Sequence, residues 1–138
     1  MKILSIDIGL KRIGISVSLD GKIATPLKAV IRKNRKQASL EVRNLLSHWE
    51  IDILVVGIPM NSSNTDEMKR RFEHFTNLIK FNGVIAFQDE SLSSFEAKEL
   101  IQGDIREKRD GRIDSLSAKI VLERYLQDSK ISYSYDDS

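Results

Sequence analysis

The sequence contains no cysteine and only two histidines, His48 and His74. The first absence excludes disulfides, thiolate–zinc sites and a cysteine nucleophile, and it fits the reducing cytoplasm where the chain is expected to work. The second argues against a histidine-rich metal centre. No apolar run reaches the roughly 18 residues of a membrane helix, so no membrane partner is expected. The first apolar stretch is interrupted by Asp7 and Lys11-Arg12 and lacks the pattern of a signal peptide. Charge of one sign is lacking too. The 22 Lys and Arg stand against 20 Asp and Glu, net +2, which is too mild to argue for nucleic acid by itself. Chemistry therefore falls to carboxylates, hydroxyls and cations.

What is present suits a single core: 138 residues, 41% of them hydrophobic. Residues 1–127 read as one domain and residues 128–138 as a polar, flexible tail. The chain is organised around Ile3 to Ser18. An apolar run carries Asp7 into Ile8-Gly9, and a second run, Ile13 to Leu19, follows after Leu10-Lys11-Arg12. Runs this apolar are buried strands. A carboxylate there is costly unless a proton, a donor or a metal compensates it. These residues alone fit a cradle for a metal and a phosphate, or a hairpin with Asp7 at its turn.

The Asp20-Gly21 pair signals a tight hairpin, which makes Lys22 to Arg32 a third strand. Ala38, Val42, Leu45, Leu46 and Trp49 mark a helix from Arg35 to Glu50. Ile51 to Ile58 is a buried parallel strand ended by Pro59. Asn64 and Glu67 resemble a helix cap and its partner, and Met68, Phe72, Phe75 and Ile79 form the stripe of a helix ended by Asn82-Gly83. Val84 to Gln88 is the fifth strand. Ser91 to Ile101 reads as a helix, Gln102 to Gly111 as a mobile charged loop, and Ile113 to Leu126 as the last helix. The fold class is α/β. Three antiparallel strands and two crossover strands give a mixed five-stranded sheet with helices on both faces, in the order of the ribonuclease H-like fold.

Three acids stand out by location. Asp7 lies on the first strand, Glu90 just past the last strand, and Asp114 opens the last helix, where small Ser117 and Ala118 allow close packing on a sheet. Sites in such sheets form beyond the carboxyl ends of parallel strands. Asp7, Glu90 and Asp114 are hard oxygen donors suited to Mg²⁺ or Mn²⁺. Two such ions about 4 Å apart can drive phosphodiester hydrolysis. Each acid also has a plainer reading, as a turn residue, a surface acid and a helix-start Asp favoured by the dipole. Cations crowd two segments: Lys28, Arg32, Lys33, Arg35 and Lys36, and then Lys69-Arg70-Arg71. Either is a solvated face or a phosphate-binding one.

Four segments in order resemble the YqgF/RuvX family of Holliday-junction resolvases. They are Asp7-Ile8-Gly9 with Lys11-Arg12-Ile13-Gly14, Val56-Gly57-Ile58-Pro59, Asp89-Glu90 with Leu92-Ser93-Ser94, and Asp114 to Ala118 with Val121-Leu122. The resemblance spans Lys2 to Leu126. It implies that Asp7, Glu90 and Asp114 form a catalytic, metal-binding triad. It also implies cleavage of branched DNA or of structured RNA, the latter as 5′-end processing of precursor small-subunit ribosomal RNA. Nucleic acid would be contacted by Lys11 and Arg12, and by Arg106, Lys108 and Arg109 in the charged loop. Ser91 stands where the family has Arg, Leu10 where it has Thr or Ser, Asn64 where Gly is common, and Ser117 where a small apolar residue is usual. Two rivals remain. An actin-like nucleotide-binding fragment would need a second Gly-rich phosphate loop, and none follows the Ile51 strand. A ribosome-associated module that has lost catalysis would bind nucleic acid without cutting it. Cutting a symmetric junction calls for a two-fold dimer; monomer and homodimer both stay open.

Overall fold

A computed structural model describes residues 1–59, 65–90 and 112–136, apart from the side chains of 65, 112–114 and 129–136. The elements run β1 (Ile3–Ile8), β2 (Arg12–Ser18), β3 (Thr25–Ile31), α1 (Arg35–His48), β4 (Ile53–Ile58), α2 (Thr65–Ile79), β5 (Val84–Asp89) and α3 (Arg112–Asp136). β1 pairs antiparallel with β2, and β2 antiparallel with β3. β4 pairs parallel with β1, and β5 parallel with β4. The order β3-β2-β1-β4-β5 is the mixed sheet expected from the sequence. It places the carboxyl ends of β1, β4 and β5 along one edge.

The two faces of this sheet differ in side-chain size. Leu4, Ile6, Ile13, Ile15, Leu54 and Val56 cover the face that packs with Val42 and Leu46 of α1 and with Phe75 and Ile79 of α2. The opposite face receives α3 through Ile3 and Val55, packed on Val121, Leu122 and Leu126. Small residues let α3 come close to it. Ser5 donates its hydroxyl hydrogen bond to the Ala118 carbonyl at 2.7 Å. The register of β2 on β3 shifts between Ile13 and Ile15, and there the Ile15 N–H donates to the Ser115 hydroxyl at 3.1 Å. Ser5, Ser115, Ser117 and Ala118 are all buried.

Several ends differ from the sequence reading. The β2–β3 connection is a longer loop rather than a two-residue turn. Asp20 Oδ1 accepts from the N–H groups of Lys22 and Ile23 and Gly21 takes a φ of 74°, which delays β3 to Thr25. The start of α1 is fixed by a capping box, with Asn34 accepting from Gln37 N–H. α2 stops at Ile79, where Lys80 takes the left-handed conformation (φ 55°). Gly83 has another reason: a Cβ there would lie 2.6 Å from the Asp52 carbonyl oxygen. α3 is described to Asp136, beyond Leu126, because residues 112–136 contain no Gly or Pro to end it. The Asn64 cap, the helix over Ser91 to Ile101 and the loop Gln102 to Gly111 lie outside the described residues. So do Arg106, Lys108 and Arg109.

The Ser115 contact is testable as a clamp between α3 and the sheet. Ser115→Ala strands the buried Ile15 N–H and should lower stability by about 1–3 kcal/mol in urea denaturation. Ser47→Ala, on exposed helix surface, should stay within about 0.5 kcal/mol of the parent.

Candidate active site

Asp7 lies at the carboxyl end of β1, half-buried, on the face that α3 covers. Its register partners are Gly14 on β2 and Gly57 on β4. Directly opposed residues on one face are near neighbours, about 5 Å apart at Cβ. Glycine on both flanks therefore sets no side chain beside Asp7 from either neighbouring strand.

Glu90 is the first residue past β5. Its N–H donates to the Ile58 carbonyl at 2.8 Å, which extends the β4–β5 ladder by one step and fixes the direction of its side chain. That side chain crosses the end of β4 above Gly57. A Cβ on Gly57 would lie 3.2 Å from Glu90 Oε2, 3.4 Å from Glu90 Cβ and 3.1 Å from Val121 Cγ2. Only glycine leaves this passage open without displacing a neighbour. Glu90 then reaches Asp7. Burial, a hydrogen bond with Asp7 and the charges of Asp7 and Asp89 push the Glu90 carboxyl up to about 9. At neutral pH and without metal the pair holds a proton.

Asp114 is the third residue of α3, and its side chain is outside the described residues. Its backbone position is set by the next residue. Ser115 is bonded to Ile15, which follows Gly14, the partner of Asp7. The start of α3 is thus tied to the sheet beside Asp7. Among the described residues no group of three or more His, Asp or Glu is placed to hold a metal. The described pair, Asp7 and Glu90, nevertheless fits one. It offers hard oxygen donors, and it now needs a proton to offset charge that a divalent cation would offset instead.

The β1–β2 turn forms the lip of this site. Gly9 N–H donates to the Arg12 carbonyl at 2.9 Å, and a Cβ on Gly9 would lie 2.6 Å from that oxygen. Arg32 braces the turn. Its N–H donates to the Lys11 carbonyl at 2.8 Å, its Nη1 to the Gly9 carbonyl at 3.0 Å, and its guanidinium lies 5.6 Å from the Phe75 ring centroid. Lys11 and Arg12 are exposed at the lip, and Leu10 is 94% exposed at its tip.

A family model described as "RuvX: Holliday junction resolvase" matches residues 1–128. The chain belongs to this family. Its relatives include a protein of Sulfurimonas denitrificans, 55% identical over 127 residues, covering 92% of this chain and 98% of the relative. A Campylobacter jejuni protein is 50% identical over 126 residues, covering 91% and 98%. Both are named "Putative pre-16S rRNA nuclease". Among solved structures, RuvC of T. thermophilus in complex with Holliday junction substrate superposes with a TM-score of 0.58 at 14% identity, covering 94% of this chain and 96% of that one. The fowlpox virus Holliday junction resolvase gives 0.56 at 12% identity, covering 93% and 99%. At these identities the likeness is one of fold, and it is the resolvase-like, ribonuclease H-like fold.

Two contributors to the site were not legible in the family's segments alone. Gly57 belongs to one of them, but its task, clearing a path for Glu90, needs the sheet order. Arg124 belongs to none. It lies twelve residues into α3 and donates from Nη1 to the Asp89 carbonyl at 3.3 Å, which places a cation at the carboxyl end of β5. Ser91 is outside the described residues.

Two measurements check this geometry. Glu90 has a folded-state value above its ordinary 4.5, so the folded chain binds that proton more tightly than the unfolded chain. Stability in chelator should be fullest below pH 4.5 and fall as pH rises to about 9. Thermal melts of Glu90→Gln, which has no such proton to lose, should show a flatter profile over that window. Gly57→Ala should displace Glu90 or Val121, costing about 1–3 kcal/mol in stability and roughly tenfold or more in nuclease rate, as a misplaced site does.

Proposed function

We propose that this protein is a metal-dependent endonuclease that hydrolyses phosphodiester bonds in structured RNA, and that it trims the 5′ end of precursor small-subunit ribosomal RNA. One observation carries the chemistry: the Asp7–Glu90 carboxyl pair, proton-sharing and partly buried between glycines at the carboxyl edge of the sheet. The RNA substrate is supported by relatives about as long as this chain, of which 98% is covered, that are named for pre-16S rRNA. Work on that precursor would place the protein in the cytoplasm, and no helix among the described residues is long and apolar enough to cross a membrane.

In this reading Asp7 and Glu90 hold Mg²⁺ or Mn²⁺, with Asp114 as the third carboxylate. What such ions supply when bound, singly or as a pair, is polarisation of the scissile phosphate and activation of water. The chain's own residues do the rest. With a divalent cation held there, Glu90 would no longer need its proton to offset the Asp7 charge. Gly57 keeps the path of Glu90 to Asp7 clear, and Gly14 sets no side chain beside Asp7 from β2. Lys11 and Arg12 on the lip draw the backbone of the substrate to the edge.

A second reading, cleavage of branched DNA, is favoured by the description of the family model. Purified protein with Mg²⁺ or Mn²⁺ against precursor ribosomal RNA, single-stranded RNA and a four-way DNA junction separates the two. Cleavage of the precursor at a discrete 5′ position is the expected result; cleavage of the junction alone would favour the second reading. Binding without cleavage at any metal concentration would reduce the protein to a binding module. Asp7→Asn should abolish cleavage while leaving the metal-free fold as stable or more so, by about 1 kcal/mol, because Glu90 no longer has to hold a proton far above its ordinary range to offset the Asp7 charge. Retained activity in Asp7→Asn would remove the carboxylate pair from the chemistry.

A further inference from the structure

A basic stretch lies outside the carboxylate site. Between Thr25 and Leu40 the sequence holds five cations and no acid. The fold turns that stretch into one continuous surface. β3 is the outermost strand of the sheet, and between β3 and α1 runs an open groove of about 750 Å³ lined by Lys28, Ile31, Lys33, Gln37, Glu41 and His48. Its one acid, Glu41, is hydrogen-bonded to the Gln37 side-chain amide. Lys28 and Lys33 are exposed along it, and Arg35 and Lys36 are exposed on the first turn of α1 beside it.

This surface joins the lip of the candidate active site. Ile31 is the register partner of Arg12, and Arg32 N–H is bonded to the Lys11 carbonyl. Lys33 therefore follows directly on the turn that carries Lys11 and Arg12. Lys28, three residues before Ile31, lies about 10 Å further along the strand. Arg32 is taken up in bracing that turn, whereas Lys28, Lys33 and Lys36 form no ion pair among the described residues. The first turn of α1 carries Arg35 and Lys36 and no acid. Cations there oppose the helix dipole, an arrangement that an anion lying across them would relieve.

We propose that the β3–α1 surface binds the sugar–phosphate backbone of single-stranded RNA flanking the scissile bond, as a sequence-independent track leading from the Lys11–Arg12 lip over the edge of the sheet. This rests on the nuclease reading above and adds to it a path for the substrate. Contacts of this kind go to phosphates, so the track gives affinity and salt dependence rather than base preference.

The test is binding of single-stranded RNA oligonucleotides of increasing length, measured across a salt series in the Asp7→Asn background so that the RNA is not consumed. The variant is Lys28→Ala/Lys33→Ala/Lys36→Ala. All three positions are exposed, and a melting curve checks the fold. The control is Lys22→Ala/Lys80→Ala, two exposed cations at the opposite end of the strands. The expected result is a log–log salt slope smaller by about 2 in the triple variant, near 0.7 per lost phosphate contact. Affinity should no longer rise with oligonucleotide length, and the control should match the Asp7→Asn parent. A triple variant with the parent's slope and length dependence would overturn the track while leaving the nuclease reading intact. Equal losses in variant and control would overturn it as well, as general charge. If the protein with Asp7 intact neither binds nor cuts any RNA, the nuclease reading fails and the track fails with it.

Discussion

A carboxylate near the middle of a sheet has to be compensated, and in this protein the compensation is a second carboxyl group. Asp7 and Glu90 are brought together by the backbone of three strands. β1 fixes Asp7, β5 ends one step before Glu90, and β4 lies between them with Gly57 where a side chain would block the approach. Two acids this close cannot both be charged without cost, so Glu90 keeps its proton far above the ordinary range. A divalent cation offers the alternative settlement, and the two compete. The site is thus stored as a mild instability of the metal-free fold, which the rest of the core must outweigh.

That burden explains the unequal faces of the sheet. The face toward α1 and α2 is filled with large aliphatic side chains that are nearly all fully buried, among them Leu4, Ile6, Ile13, Ile15 and Leu54. Burying such side chains stabilises by about 1.5–3 kcal/mol each. The face toward α3 carries Ser5, Asp7, Gly14 and Gly57 where the other face has Leu and Ile. There α3 is located by directional bonds, Ser5 to the Ala118 carbonyl and the Ile15 N–H to Ser115. Hydrophobic packing has no direction and tolerates slippage, whereas these bonds fix the height at which α3 begins, and so where Asp114 stands along the sheet.

The parts of this arrangement that follow from local pattern were legible in the sequence. Buried strands show as apolar runs and helices as stripes, and strand order then follows from connection rules, which puts Asp7 and Glu90 at one edge. What the sequence hid depends on contacts between distant residues. Gly57 looks like any strand-end glycine until β5 is laid beside it. Arg124 is an ordinary helix cation until α3 is packed across β5. The ends of elements were hidden for a different reason, because several signals competed. Asn82-Gly83 is a good helix stop, but Lys80 had already taken the left-handed conformation, and Gly83 serves a close approach to Asp52. Asp20-Gly21 is a good tight turn, but the Asp20 carboxylate gathers two N–H groups beyond it and holds a wider loop.

The basic edge has two explanations that act at different residues. An outermost strand with unpaired backbone groups invites pairing with another chain, and lysine, proline and a register shift are common protections. β3 has all three: Lys28, Pro26 and the irregularity opposite Ile13 and Ile15. Protection accounts for Lys28 but not for Lys33, Arg35 and Lys36, which lie beyond the strand. Nor does it account for the absence of any acid from Lys22 to Leu40, since Glu on an edge also protects. A chain with nearly balanced charge overall has gathered cations of one sign beside the turn that borders its acidic pair. Segregation of that kind raises self-repulsion within the patch and opposes folding. A polyanion lying along the same edge would turn that repulsion into binding, which edge protection alone does not do.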